Sequence, residues 1–368
     1  MSKQLTSVTR LIAVFATVTS LVVAGAGGAA AQSDRAMSAG AARQAAKQRP
    51  VSIVVAGRVP VGAKVKFTGT VQPAAPHQAV KLQLRSSGSW QTVRTKRLSA
   101  KSTYKFKRRF ATSGNWRFRV VVPRHGATRK IKSRARTIHV RTPGYDVSYP
   151  QCGATLPAGR FGLVGVDGGR PYDVNPCLAT QIDWAMTTGS PAYYVTPPTG
   201  PKSSTHWPKG QTSPQACKAS SLNFTACSYD YGWNAARDSY SRAAAAAASV
   251  GAPAVSSATW WLDVETGNSW QVDNGETATH YANDTAALRG MRGYVRARGV
   301  STVGVYSTAH QWRQITGGAS LAKAAIWYAG VGGPSSAAAH CASRYSFTGG
   351  PVRLTQYRKG GFDADNAC

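Results

Sequence analysis

The sequence predicts a multidomain chain: an all-β sandwich followed by an α/β barrel. Three observations predict it. Residues 1–142 hold 28 Lys and Arg against the single acid Asp34, whereas residues 143–368 hold 17 against 13 acids. From residue 51, short runs alternate apolar and basic side chains with period two, the pattern of half-buried strands. From Gly144, apolar strands alternate with helix-like stretches, which implies a mostly parallel sheet.

Residues 1–31 read as a secretory signal. Lys3 and Arg10 supply the basic start, residues 11–24 the apolar core, and A-A-A at 29–31 the small-residue cleavage site. The apolar core is shorter than the roughly 20 residues of a membrane span, so the mature chain is expected to be soluble and exported, with no transmembrane segment. Residues 32–49 have little to bury and read as a linker.

Residues 50–142 carry no acid. Strands are expected in S-I-V-V-A, K-V-K-F-T-G-T-V, A-V-K-L-Q-L-R, W-Q-T-V-R, Y-K-F-K-R-R-F, N-W-R-F-R-V-V-V and R-T-I-H-V-R. Alternation puts Val65, Phe67, Leu82, Leu84, Phe106, Trp116, Phe118 and Val120 on an inner face, with Lys and Arg outside. Turn signals at 86–89 and 112–115 separate the runs, and the spacing is that of an immunoglobulin-like sandwich. Ordinary surfaces mix both charge signs. A purely basic one attracts polyanions in a salt-sensitive way. For an exported chain, anionic wall polymers are expected partners ahead of nucleic acid, for which no reader motif is present.

In residues 143–368, strands are expected at 144–149, 161–168, 191–196, 259–265, 302–308, 324–331 and 352–357, with helical runs between them. Seven or eight such strands fit a closed, TIM-like barrel better than an open sheet. All six cysteines lie here: Cys152, Cys177, Cys217, Cys227, Cys341 and Cys368. An even count in an exported chain favours disulfides; nearness in sequence pairs 152 with 177, 217 with 227, and 341 with 368. Neither C-x-x-C nor H-E-x-x-H occurs, so no metal or other cofactor is expected. The seven His are scattered and no G-x-S-x-G elbow exists.

Chemistry in a parallel barrel gathers where the strands end. There the sequence places Asp146, Asp167, Asp263, Glu265, Tyr306, Tyr328 and Gln356–Tyr357. Asp263 and Glu265, two apart on a strand, share a face about 6.6 Å apart along the backbone. Two carboxyls at one mouth, one protonated and one ionised, are what glycosidic cleavage requires, and crowding beside Trp260 and Trp261 would push their pKa values apart. Glu occurs at one other position, Glu276, where it reads as a helix-start residue favoured by the dipole. Tyr193, Tyr194, Trp207, Tyr231 and Trp233 gather around the third strand and its loop and are suited to flat sugar faces or to core packing.

Several motifs in order extend this reading: Asp146-Val147-Ser148-Tyr149-Pro150-Gln151, Asp263-Val264-Glu265, Gly304-Val305-Tyr306-Ser307, Ile326-Trp327-Tyr328-Ala329, and Gln356-Tyr357 with Gly361-Phe362-Asp363-Ala364-Asp365. Over residues 144–368 the chain resembles glycoside hydrolase family 25, muramidases with an irregular β/α barrel, and also the glycoside hydrolase-like domains of exported actinobacterial proteins. The resemblance implies Glu265 as general acid, Asp263 stabilising positive charge or orienting an acetamido group, and Asp146 and Asp363 as supporting carboxylates. Asp167, Tyr194, Tyr306, Trp327, Tyr328 and Gln356 become substrate-binding candidates. The implied substrate is the glycan of peptidoglycan, cut after N-acetylmuramic acid. The chain departs from the family at residues 197–230, a Pro/Gly/Ser-rich loop, and at Asp365, where the family usually has Asn. A catalytically silent wall- or glycan-binding protein of the same shape is the alternative.

Overall fold

Alternation of apolar and basic residues becomes paired strands in the first part of the chain. The computed structural model describes residues 50–127, 129–198, 204–218, 224–268, 270 and 278–368. The expected signal, the linker and Glu276 lie outside them.

Eight strands form here: β1 (Arg58–Pro60), β2 (Lys64–Thr70), β3 (Ala79–Ser86), β4 (Ser89–Arg97), β5 (Thr103–Arg109), β6 (Gly114–Val122), β7 (Ile131–Lys132) and β8 (Arg136–Arg141). They divide into a six-stranded sheet, in order β1-β8-β6-β3-β4 with β7 on β6, and the β2–β5 pair. One core serves both sheets, with Phe67, Phe106, Phe118, Leu82, Val120 and Ile138 fully buried. Phe67 and Phe118 pack at 4.9 Å between ring centroids. Trp116 is half-buried against Phe110. The division is six strands and two, not the four and three of an immunoglobulin constant domain. Register explains the outer charge: Lys64, Lys66, Lys105 and Lys107 fall on exposed positions of the β2–β5 ladder.

The second part closes into an eight-stranded β-barrel, in order β10-β11-β12-β13-β14-β15-β16-β9. Its strands are β9 (Gly144–Val147), β10 (Gly162–Gly165), β11 (Ala192–Val195), β12 (Trp260–Asp263), β13 (Val303–Ser307), β14 (Ile326–Tyr328), β15 (Val352–Lys359) and β16 (Phe362–Ala367). Five α-helices are present among the described residues: α1 (Leu178–Thr187), α2 (Phe224–Ser249), α3 (Ala278–Ala297), α4 (Ala309–Thr316) and α5 (Pro334–His340).

This corrects the expected TIM-like α/β barrel. No helix joins β9 to β10, where a 3-10 turn at Tyr149–Gln151 and a loop suffice. β15 returns directly into β16, which runs antiparallel to both of its neighbours. The physical cause lies in Gly360 and Gly361, whose φ values of 61° and 86° make a two-residue hairpin turn available to glycine at little cost. A repeating strand–helix unit therefore does not extend around the barrel.

Alternation along each strand separates two environments. Trp260, Leu262, Val164, Tyr193, Val195, Val303 and Val305 face outward into a core shared with the helices. Trp260 lies between Tyr193 and Tyr240 at 5.2 and 5.5 Å. Leu163, Trp261, Trp327 and Leu354 fill the bore. Gly304 makes room for Trp261: a Cβ there would meet the indole at 2.4 Å. The three disulfides pair Cys152 with Cys177, Cys217 with Cys227, and Cys341 with Cys368. The α5 segment also touches the first part of the chain, where Lys64 N–H donates to Ser335 Oγ at 2.7 Å.

Candidate active site

Seven strands, β9 to β15, run parallel, so their carboxyl ends meet at one mouth of the barrel. A cavity of about 250 Å³ opens there, lined by Asp146, Asp167, Asp263, Glu265 and Asp363 together with Ser148, Tyr149, Tyr194, Thr196, Asn268, Tyr306, Trp327 and Gln356. None of the described residues lining it is basic. Period two brings Asp263 and Glu265 onto the same inward face as Trp261, as the sequence spacing requires.

The backbone beneath the pair is fixed on both sides. Val264 N–H donates to the Tyr306 carbonyl at 2.8 Å and Ser307 Oγ to the Val264 carbonyl at 2.7 Å. Trp270 Nε1 donates to the Glu265 carbonyl at 2.6 Å, and Asn268 Nδ2 to the Asp263 carbonyl at 3.0 Å. The Asp263 carboxyl itself is left with a buried oxygen that has no hydrogen-bond partner among the described residues.

Burial, and after it crowding, favours the protonated forms of these acids. Burial first, then the neighbouring Glu265, Asp167 and Asp146, hold Asp263 well above the usual carboxylate range. Glu265 is raised by burial and by Asp363. Asp146 is pushed up to about 7 by burial and by Asp363, against hydrogen bonds that favour its charge. Asp167 also rises to about 7 through burial, although its oxygens accept from Thr196 N–H at 2.8 Å and Thr196 Oγ1 at 2.9 Å. Each carboxylate in such a cluster penalises ionisation of the next, so protons leave in coupled steps.

A chain of hydrogen bonds fixes the inner wall. Tyr306 Oη donates to Gln356 Oε1 at 2.8 Å, Gln356 Nε2 donates to Asp146 Oδ2 at 3.1 Å, and Trp327 Nε1 donates to Asp365 Oδ1 at 2.7 Å. Tyr306 and Trp327 meet edge-to-face at 4.5 Å. Asp363 sits opposite Asp146 in the β9–β16 ladder and pairs with the exposed Arg358 at 3.1 Å.

The structure therefore brings together Asp146, Asp167, Tyr194, Asp263, Glu265, Tyr306, Trp327, Gln356 and Asp363. Tyr328 is not among them. It turns to the outside of the barrel against His340, Tyr345 and Phe347. Of the other aromatics, Tyr193 is outside the bore against Trp260, Trp207 and Tyr231 pack with the Cys217–Cys227 pair, and Trp233 packs against Tyr229 and Tyr294. Sequence reasoning passed over Asp365 and Tyr149 as site residues. Asp365 is buried two positions from Asp363, hence on the same inward face. Tyr149 stands at the rim, 46% exposed.

Residues 232–349 match the family model described as "Lysozyme-like protein 1". This lysozyme-like segment contains Asp263, Glu265, Tyr306 and Trp327, while Asp146, Asp167, Gln356 and Asp363 fall outside it. No curated protein matches the chain. Among solved structures, the sulfur carrier protein SoxY from Chlorobium limicola f thiosulfatophilum is similar at 20% identity over 30% of this chain and 99% of that one, with a TM-score of 0.20. A CARDB domain from Pyrococcus furiosus matches at 14% identity over 24% of this chain and 91% of that one, TM-score 0.19. Cwp6 from Clostridium difficile matches at 8% identity over 78% of this chain and half of its own length, TM-score 0.22.

Proposed function

We propose that this protein is an exported glycoside hydrolase acting on the glycan of peptidoglycan in the manner of a muramidase. The observation that carries the reading is the Asp263–Glu265 pair at the mouth of one acid-lined cavity, with both carboxyls biased towards the protonated form. The lysozyme-like match over residues 232–349 supports it. So do the three disulfides, which suit an oxidising compartment, and no helix among the described residues is long and apolar enough to cross a membrane.

In this reading the pair acts as one titrating unit. In the free protein Asp263 holds its proton more firmly than Glu265. The shared proton passes to the less buried Glu265 as substrate binds, and Glu265 is the general acid that hands it to the glycosidic oxygen. Asp263, once ionised, stabilises the positive charge that develops on the sugar or orients its acetamido group. Burial and then Asp363 favour the protonated form of Glu265, and Asp146 stands by as a supporting carboxylate. Tyr149, Tyr194 and Tyr306 offer ring faces and hydroxyls to the sugar, and Trp327, packed beneath them, backs the floor. Residues 50–142, basic throughout and free of acids, tether the enzyme to anionic wall polymers.

Digestion of purified wall glycan by the full chain, with identification of the new reducing-end sugar, tests the proposal. N-acetylmuramic acid at the new end is the expected result. A digest with no new reducing end refutes hydrolysis.

A further inference from the structure

The bore has a second opening. Trp261 and Trp327 meet edge-to-face at 5.9 Å and divide it. Below them, where the parallel strands begin, lies a hollow of about 580 Å³, a volume in the range of small-molecule sites. It exists because the inward positions at this level are small. Interiors of closed barrels are normally filled here by bulky branched side chains, but Ala192, Ala325 and Ala367 stand half-exposed around it.

Four cations ring the opening: Arg292 and Arg296 from α3, Lys323 before β14, and Arg353 on β15. None of the described residues lining it is acidic, and neither ion pair found among the described residues involves these four. Arg292 and Arg296 lie one helical turn apart, a spacing at which like charges repel. Burial and the neighbouring Arg296 both lower the Arg292 guanidinium. Such a group of cations is relieved by an anion placed among them. On the floor, Trp261 is only 2% exposed.

We propose that this hollow is a binding site for an amphipathic anion. A single carboxylate, phosphate or sulfonate head rests among Arg292, Arg296, Lys323 and Arg353, and an acyl or aryl body lies on the half-exposed Phe161, Ala192, Ala325 and Ala367. The site is separate from the acidic cavity and does not depend on the hydrolase reading.

The test uses the full chain and 1-anilinonaphthalene-8-sulfonate as a fluorescent probe, with decanoate and decanol as competitors. Decanoate is expected to displace the probe at least tenfold more effectively than decanol. Ala325→Leu, which fills the hollow, should abolish displaceable binding. The double substitution Lys323→Gln with Arg353→Gln leaves the floor intact and should weaken binding at least tenfold, so the proposal remains testable if the filled variant fails to fold. Equal competition by decanol and decanoate overturns it, as does probe binding unchanged by the double substitution.

Discussion

Trp327 Nε1 donates to Asp365 Oδ1 at 2.7 Å, while the other Asp365 carboxyl oxygen is buried with no hydrogen-bond partner among the described residues. The bond ties the closing strand β16 to β14. Asp365 is buried and is held well above the usual carboxylate range by burial and by Asp146. Folding at neutral pH therefore requires this acid to take up a proton.

Asp365→Asn keeps an oxygen to accept from Trp327 and has no group that must take up a proton. The substitution is expected to stabilise the protein above about pH 7 and to lose its advantage near the unfolded carboxylate pKa of about 4. Urea unfolding of the two proteins at both pH values measures this. Destabilisation by more than about 1 kcal/mol at the higher pH, the size of a net hydrogen bond, would contradict it.

Stability should fall as pH rises from about 4 to about 7. Asp146 and Asp167 each titrate near 7 in the folded chain and near 4 unfolded, so the folded state binds more protons across that window and loses relative stability as they leave. Calorimetric Tm values across the window should decline, with a shallower slope in Asp167→Asn. A Tm that rises through the window contradicts the assignment.

Gly304→Ala should destabilise the barrel by about 1–3 kcal/mol, the usual cost of overpacking. Its Cβ would meet the Trp261 ring at 2.4 Å and the Ala325 carbonyl at 2.8 Å. Chemical denaturation measures the loss, and a change within about 0.5 kcal/mol would show that the bore yields more easily than its packing implies.

Binding to anionic wall polymers should be strongly salt-dependent. Lys107 is lowered by Lys64 and then by Lys105, so lysines on the exposed β2–β5 surface already repel one another and gain from an anion. Raising ionic strength shortens the screening length from about 10 Å at 0.1 M to about 3 Å at 1 M. Retention on teichoic-acid-bearing walls should fall at least tenfold over that range and should fall similarly with Lys64→Gln and Lys107→Gln combined. Retention insensitive to both would exclude this surface as the tether.

Much of the candidate site was legible in the sequence because period two is strict. The D-x-E spacing puts Asp263 and Glu265 on one face in any strand, and the ends of parallel strands meet at one mouth. Consecutive residues must point to opposite faces, so Trp327 and Tyr328 could not both enter the bore; that rule was available and assigns Tyr328 outside. Applied to D-A-D, it also pairs Asp365 with Asp363. Barrel closure was less legible. The strand–helix alternation between residues 178 and 297 is clear, but whether β16 arrives parallel or antiparallel depends on the two-residue turn at Gly360–Gly361. That Gly-Gly step between two strand-like runs was the available signal. Helices α4 and α5 are only eight and seven residues long, too short for periodicity to separate them from loops.

The central claim is that Glu265 delivers a proton to a glycosidic bond. Parallel assays of wild type and Glu265→Gln on one wall preparation, scoring both bound protein and released glycan, test it most directly. Loss of release by about 10²-fold to 10⁴-fold, the usual worth of a general acid, with binding retained is the predicted result. Undiminished release by the Gln variant would contradict it.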